Sequence, residues 1–206
     1  MIIILDYDMG NILSVKNMLH SIGYDDVLIS NDHSEIIKAD GLILPGVGAF
    51  DYGMQNLSKF GLINLIKEIA INDQKPILGI CLGMQLLGID SEEGEKKGLG
   101  LIPFHTKRFR PSEEYKVPHM GWDEVEITKR NLPILKHVIS YPPRYYFVHS
   151  YYAVCDDEND ILMKCSYEND FAAAVSKENI YGVQFHPEKS HKFGKEIMKG
   201  FVDLVK

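Results

Sequence analysis

The chain reads as an α/β fold: an open, mostly parallel sheet flanked by helices, with antiparallel strands added in the second half. Three observations predict this. Apolar runs of strand length alternate with amphipathic segments of helical spacing through the first half. One such run, Lys75-Pro-Ile-Leu-Gly-Ile-Cys-Leu-Gly-Met-Gln85, passes through a glycine-flanked turn directly into a helix-compatible stretch. From Phe104 onward the helical spacing gives way to short runs rich in β-branched and aromatic residues, which suit hairpins.

Taken in order, residues 2–6 read as a buried parallel strand and residues 11–22 as a helix with Ile12, Val15, Leu19 and Ile22 on one face. A strand at 27–29, a short helix at 35–38 and a third strand beginning at Gly41 follow, the last running into the glycine-containing stretch Pro45-Gly-Val-Gly48. Residues 57–70 supply a third crossover helix, and the strand that ends at Cys81 is the fourth. Residues 91–98 are charged and glycine-punctuated, a surface loop. Strands are expected at 104–109, 124–127, 145–149, 151–155, 162–166 and 171–176. Residues 181–188 form a last strand that delivers its final residues to an edge or loop, and a closing helix at 193–205 carries Phe193, Ile197, Phe201 and Leu204 on one face. With no repeat or linker, residues 1–206 are expected to form a single domain.

Composition narrows the functional classes. A formal net charge of -7 argues against non-specific nucleic-acid binding, which needs a basic face. No stretch is long and apolar enough to span a bilayer, and the chain starts with Ile2-Ile-Ile-Leu5 and no basic leader, so a cytoplasmic protein without a membrane partner is expected. The three cysteines, Cys81, Cys155 and Cys165, are too few and scattered for a disulfide framework.

The chemistry gathers at Gly79-Ile-Cys-Leu-Gly83. G-x-C-x-G is the thiol form of the nucleophile elbow, in which flanking glycines allow a tight turn that leaves the central side chain exposed. Cys81 is then the nucleophile, at a helix N-terminus that favours the thiolate. A buried core cysteine is the plain alternative, but a core strand gains nothing from two glycines. His186-Pro-Glu188 offers a base and a group to orient it. Alone, that triplet reads better as an exposed His near a solvated acid; beside an elbow cysteine it completes a triad. Donors for an oxyanion are sought at the N–H of Leu82 and in the loop of Gly46, Val47 and Gly48, for which a phosphate-binding turn is the weaker reading. His186 and His191 have no third residue at ligand spacing, so no metal or cofactor is expected. The aromatic run at 145–152 could stack nucleic-acid bases, yet its alternation fits a strand with one buried face and one offered to a protein partner.

Together, Pro45-Gly-Val-Gly48, Gly79-Ile-Cys-Leu-Gly-Met-Gln85 and Gly182-Val-Gln-Phe-His-Pro-Glu188 closely resemble the class I, triad-type glutamine amidotransferases across the whole chain. Asp6-Tyr-Asp-Met-Gly-Asn11, Pro118-His-Met-Gly-Trp122, Tyr146-Phe-Val-His-Ser-Tyr-Tyr152 and Lys189-Ser190 narrow the resemblance to the glutaminase subunits of imidazole glycerol phosphate synthases. The resemblance implies a Cys81 thioester, with His186 shuttling the proton and Glu188 orienting it. It also implies L-glutamine held by Gly48, Gln85, Ser150 and Tyr151. The implied partner is a cyclase subunit with a (β/α)₈ barrel, forming a heterodimer that uses the ammonia in histidine biosynthesis, with Asn11, Trp122, Tyr146 and Lys189 facing it. A glycine loop that presents its N–H groups wrongly until the partner binds would leave the isolated chain nearly inactive. Asp8, Phe104 and Asp123 depart from the usual pattern, where glycine, glycine and asparagine are common. Two of these lie toward the partner face, which keeps a paralogous role open: ammonia for amidating a sugar in surface-polysaccharide synthesis. A non-catalytic subunit would lack a triad member, and all three are present.

Overall fold

The computed structural model describes residues 1–129 and 131–205. The parallel half runs through strand β1 (Ile2–Leu5), helix α1 (Ile12–Ser21), β2 (Val27–Ser30), α2 (His33–Ile36), β3 (Gly41–Gly46), α3 (Phe50–Lys59), α4 (Leu62–Ile71), β4 (Ile77–Cys81) and α5 (Leu82–Leu87). The second half holds β5 (Asp90–Ser91), β6 (Phe104–Arg108), β7 (His119–Glu124), β8 (Glu126–Ile127), β9 (Arg144–His149), β10 (Tyr151–Cys155), β11 (Ile161–Ser166), β12 (Asp170–Lys177), β13 (Ile180–Val183) and the closing helix α6 (His191–Val205).

Among the described residues the main sheet follows the order β2-β1-β3-β4-β13-β12-β10-β6-β5, with β11 against β12 and β8; β7 and β9 form a separate antiparallel ribbon. The first five strands of that order are mutually parallel. Because successive side chains on a strand point to opposite faces, β1 feeds two cores. Ile2 and Ile4 join Val15, Leu19, Ile197 and Phe201 from α1 and α6. Ile3 and Leu5 join Leu57, Leu62, Ile66 and Leu86 from α3, α4 and α5. Both faces of the sheet are therefore buried, which is why the parallel strands read as unbroken apolar runs.

The α/β class and the elements near the predicted positions stand, with three corrections. The single crossover helix expected at 57–70 is two helices, α3 and α4, because Gly61 adopts a left-handed φ of 68° between them. The strand expected at 124–127 is preceded by a longer one, β7: its residues alternate between more and less buried, but Gly121 and Pro118 disguised it as a loop. The strand expected at 181–188 ends at Val183, after which the chain leaves the sheet and makes a 3₁₀ turn at Pro187–Lys189. In addition, Cys155 and Cys165 sit on strands that each pair with β12 and not with each other.

The helix after β4 lies unusually close to the sheet. A Cβ added at Gly83 would stand 1.8 Å from the Leu44 carbonyl oxygen, and one at Gly79 would stand 2.7 Å from the Gly83 carbonyl oxygen. Neither obstacle is a movable side-chain end. Gly83→Ala is accordingly expected to cost at least about 3 kcal/mol of folding stability, the upper range for overpacking a core, measured as a lowered urea midpoint. An unchanged midpoint would show that the helix can lift off the sheet freely.

Candidate active site

Cys81 is the last residue of β4 and the N-cap of α5, with φ 54° and ψ -111°. A non-glycine residue with positive φ outside the left-handed helical well is strained, and only firm surroundings hold it there. The glycines at 79 and 83 supply those surroundings by allowing the close approach of strand and helix. The turn leaves the thiol beside a cavity of about 330 Å³ lined by Val47, Gly48, Cys81, Leu82, Gln85, Glu93, Pro118, Val148, His149, Ser150, Tyr151 and His186.

Strand register assembles the rest. On one side of β4, Gly46 is paired with Cys81, so the Gly46 to Gly48 loop starts level with the thiol. Gly48 has φ 113°, a conformation that glycine alone adopts readily. The Leu82 N–H, in the first turn of α5, is one of the donors a helix start leaves free. On the other side, Val183 of β13 is paired with Ile80, which brings Gln184 level with Cys81 and His186 just beyond. His186 Nδ1 lies 2.8 Å from Glu188 Oε1, both side chains almost fully buried. The far ring nitrogen, Nε2, is buried with no hydrogen-bond partner. Burial by itself pulls the His186 pKa down; the Cys81 sulfur and the Glu188 carboxylate outweigh it and push the ring up to about 10. The structure thus brings together Cys81, His186, Glu188, the Gly46 to Gly48 loop and Leu82.

Of the other predicted residues, Gln85, Ser150 and Tyr151 line the same cavity. Gln85 Nε2 donates to the Tyr151 carbonyl oxygen at 3.1 Å and to Gln184 Oε1 at 3.0 Å. Trp122 and Tyr146 are register partners on the β7–β9 ribbon, and Lys189 Nζ stands 5.7 Å from the centre of the Tyr146 ring. Trp122 therefore lies on a strand, is 41% exposed and stacks on His191, centroids 5.6 Å apart. Asn11 holds the N-cap position of α1 without a side-chain capping bond, and that helix packs against the Pro187–Lys189 turn. The aromatic alternation holds: Tyr145 and Phe147 are buried while the half-buried Tyr146 faces the other way.

Four residues in or behind the site escaped sequence reasoning. Gln184 is fully buried and directs Nε2 at the Cys81 sulfur, 3.7 Å away. Ser190 accepts the Tyr146 N–H at 3.0 Å and donates to the His186 carbonyl oxygen at 2.7 Å. His149 lines the cavity with Nδ1 on the Tyr151 carbonyl oxygen at 2.8 Å. Glu93, from the stretch read as a surface loop, enters the cavity wall and accepts the Phe50 N–H at 2.8 Å. Burial pushes its carboxyl above the usual carboxylate range. Its place directly before Phe185-His186 could have suggested Gln184, but no local signal marks Glu93.

The departures noted in the sequence are accommodated. Asp8 takes φ 61°, which Asp tolerates better than most residues, and pairs with Lys59 at 3.1 Å. Phe104 is fully buried against Gly88. Asp123 bonds to His119.

Comparisons with known proteins agree with this geometry. The family model described as glutamine amidotransferase class-I matches residues 3–204. A protein of Methanococcus maripaludis named imidazole glycerol phosphate synthase subunit HisH 2 is 53% identical over 98% of both chains. One of Pseudomonas aeruginosa with the same name is 50% identical over 100% of both chains. A Listeria monocytogenes protein named imidazole glycerol phosphate synthase subunit HisH is 47% identical over 100% of this chain and 97% of its own. Among solved structures, PurLQS from Thermotoga maritima matches with a TM-score of 0.74 at 18% identity, covering 100% of this chain and 98% of that one. A crystal structure of a glutamine amidotransferase matches with a TM-score of 0.73 at 15% identity, covering 98% of both chains. At such identities these two speak for the fold alone.

The three thiols differ in a testable way. Burial pushes Cys155 and Cys165 up to about 12, so at pH 8 each is thiolate in roughly one molecule in ten thousand. Cys81 alone lines the cavity and faces a histidine. Iodoacetamide at pH 8 is expected to label Cys81 first, by at least about a hundredfold in rate, as read by peptide mass spectrometry. Equal labelling of all three would remove Cys81 from consideration as an activated thiol.

Proposed function

This chain belongs to the class-I glutamine amidotransferase family, and we propose that it is the glutamine-hydrolysing subunit of an imidazole glycerol phosphate synthase. The observation that carries the proposal is the register of β3, β4 and β13, which sets the strained Cys81 between a glycine loop and the buried His186–Glu188 pair. The names of relatives at 53%, 50% and 47% identity supply the synthase.

In this reading glutamine occupies the cavity with its side-chain amide at Cys81 and its α-ammonium toward Glu93. Cys81 Sγ attacks the amide carbon, and the oxygen that gains charge is held by N–H groups of Leu82 and the Gly46 to Gly48 loop. His186 gives its proton to the departing nitrogen, which leaves as ammonia. The thioester then reacts with a water that has lost a proton to His186, and glutamate departs with the thiol restored. Glu188 holds the ring by Nδ1, so Nε2 is the atom that moves protons. Ammonia released into water is protonated, so an enclosed passage to a second subunit is needed. The exposed Trp122 and Lys189 and the half-buried Tyr146 and Asn11, together with exposed Leu13 and Met120, suit that contact. The partner is read as a cyclase with a (β/α)₈ barrel, the domain as residues 1–206 and the compartment as cytoplasmic. Among the described residues no helix is long and apolar enough to cross a membrane.

A second reading has its own support. The relatives at 53% and 50% identity carry the numeral 2 in their names, and Asp8 and Asp123 depart from the usual pattern near the partner face. They fit a paralogue whose ammonia amidates a sugar. The glutaminase chemistry is the same in both.

The deciding experiment follows glutamate release from glutamine by the purified chain, alone and with the cyclase subunit of the same organism plus the cyclase's ribotide ligand. Low activity alone and strong stimulation by the pair are expected, with Cys81→Ala losing at least about a thousandfold while still binding the partner. Rapid turnover by the chain alone would remove the need for activation, and absence of stimulation would favour the sugar pathway. The pH dependence follows from His186. Because its pKa is raised, the ring keeps its proton through neutral pH and loses it as pH rises through about 10. The expected kcat/KM is level across neutral pH and falls above about 10, where no proton remains for the departing nitrogen. Glu188→Gln removes one support and should move this limb to lower pH; an unmoved limb would assign it to another group.

A further inference from the structure

Behind the cavity wall lies a chain of polar contacts that the reaction above does not use. Tyr151 presents its carbonyl oxygen to two donors, Gln85 Nε2 from α5 and His149 Nδ1 from β9. His149 Nε2 lies 3.0 Å from His119 Nδ1, and His119 Nε2 lies 2.6 Å from Asp123 Oδ2. Both rings are buried, whereas Asp123 reaches the surface beside Trp122. His119 and His149 are register partners on the β7–β9 ribbon, three residues along β7 from the Trp122 and Tyr146 pair.

The hydrogens can be placed by elimination. A carbonyl oxygen only accepts, so His149 Nδ1 carries a hydrogen. Burial, helped by His119 and His186, pushes His149 down to about 3, so its ring is neutral and Nε2 must accept. The hydrogen between the rings therefore belongs to His119 Nδ1. At the other end of the ring, His119 Nε2 meets Asp123 Oδ2. Every polar atom along the line then has a partner, with Asp123 at its outer end.

We propose that Asp123, His119 and His149 are positioning residues that fix the Tyr151 carbonyl, and with it the Ser150 and Tyr151 wall of the glutamine cavity, from the surface strand that carries Trp122. The wall is pinned from both sides: Gln85 holds the carbonyl from the helix that follows the nucleophile, and the relay holds it from the ribbon. The proposal rests on glutamine being the occupant. Loss of the relay therefore weakens binding of substrate more than the chemistry at Cys81, which the relay does not touch.

The test combines a spectroscopic arm on the full chain with a kinetic arm in which the cyclase subunit and its ribotide ligand are present. Nitrogen-15 histidine NMR of the wild type is expected to find His149 with a hydrogen on Nδ1 alone and a hydrogen bond from His119 Nδ1 to His149 Nε2. His149 carrying its hydrogen on Nε2, or no hydrogen bond between the two rings, would overturn the relay whatever the activity. In the kinetic arm, His119→Phe retains a ring between Phe147 and Tyr167, which flank His119 at 5.0 and 4.2 Å, but removes the donor. The KM for glutamine is expected to rise about tenfold in His119→Phe and in Asp123→Leu, with kcat changed less than about twofold. Asp123→Asn, which keeps an acceptor without the charge, should show less than about a third of that rise. An unchanged KM in folded His119→Phe, or equal losses in kcat and kcat/KM, would overturn the proposal. If that variant does not fold, the wild-type spectrum still decides. A wild type that releases no glutamate either alone or with the cyclase subunit and its ribotide ligand would defeat the glutaminase reading and leave the hydrogen placement to stand or fall by its spectrum.

Discussion

The structure depends on one backbone constraint, the positive φ of Cys81 at the junction of β4 and α5. A cysteine gains nothing intrinsically from that conformation, which costs on the order of 1–3 kcal/mol. It is held by contact distances that only glycine permits at positions 79 and 83, where the helix backbone lies against the Leu44 carbonyl. The same closeness aims the thiol outward and turns the helix N-terminus, with its free N–H groups, toward the cavity. The placement of the thiol, of the free N–H groups and of the helix dipole are thus consequences of one turn.

Around this turn the polar groups are arranged in buried pairs. Glu188 faces His186, Ser190 ties the His186 carbonyl to the Tyr146 N–H, and Gln184 links Gln85 to the sulfur. Burying such groups is costly unless each finds a partner, and in low-dielectric surroundings each found partner is held firmly. At the centre of the site His186 Nε2 and Glu188 Oε2 break this pattern, both being buried with no hydrogen-bond partner. In the proposed reaction His186 Nε2 is the atom that exchanges protons with a transient occupant, and its freedom suits that role. The same network joins site and surface, since the Tyr146 N–H and carbonyl oxygen are bonded to Ser190 and to the His186 N–H.

Much of the fold could be read from the chain because its signals are local. The isoleucine-rich and leucine-rich parallel strands, the amphipathic α1 and the apolar face of α6 follow from periodicity. The elbow at Cys81 is legible because two glycines and a cysteine sit within five residues. Other elements were hidden by locally contrary residues. Leu57 to Ala70 looks continuous until Gly61 is seen in a left-handed turn, and β7 carries a glycine with φ 147° in its middle. Glu93 was lost in a run of glutamates and glycines that resembles any solvated loop; only the packing of that loop on Phe50 shows that one carboxylate is turned inward.

The sequence by itself determined the class of fold and singled out Cys81 and the His186–Glu188 pair as the proposed catalytic residues, since each is written in neighbouring residues whose geometry is set by covalent connection. Tertiary structure alone decided which strands are neighbours. That β13 lies beside β4, a strand from far earlier in the chain, follows from pairing between distant segments, which no local pattern encodes. Register then fixed what periodicity could not: Gln184 level with Cys81, His149 opposite His119, and Glu93 in the cavity wall. A polar residue announces its chemistry in its side chain, but its partner is chosen by the pairing of strands, and that choice exists only once the sheet is formed.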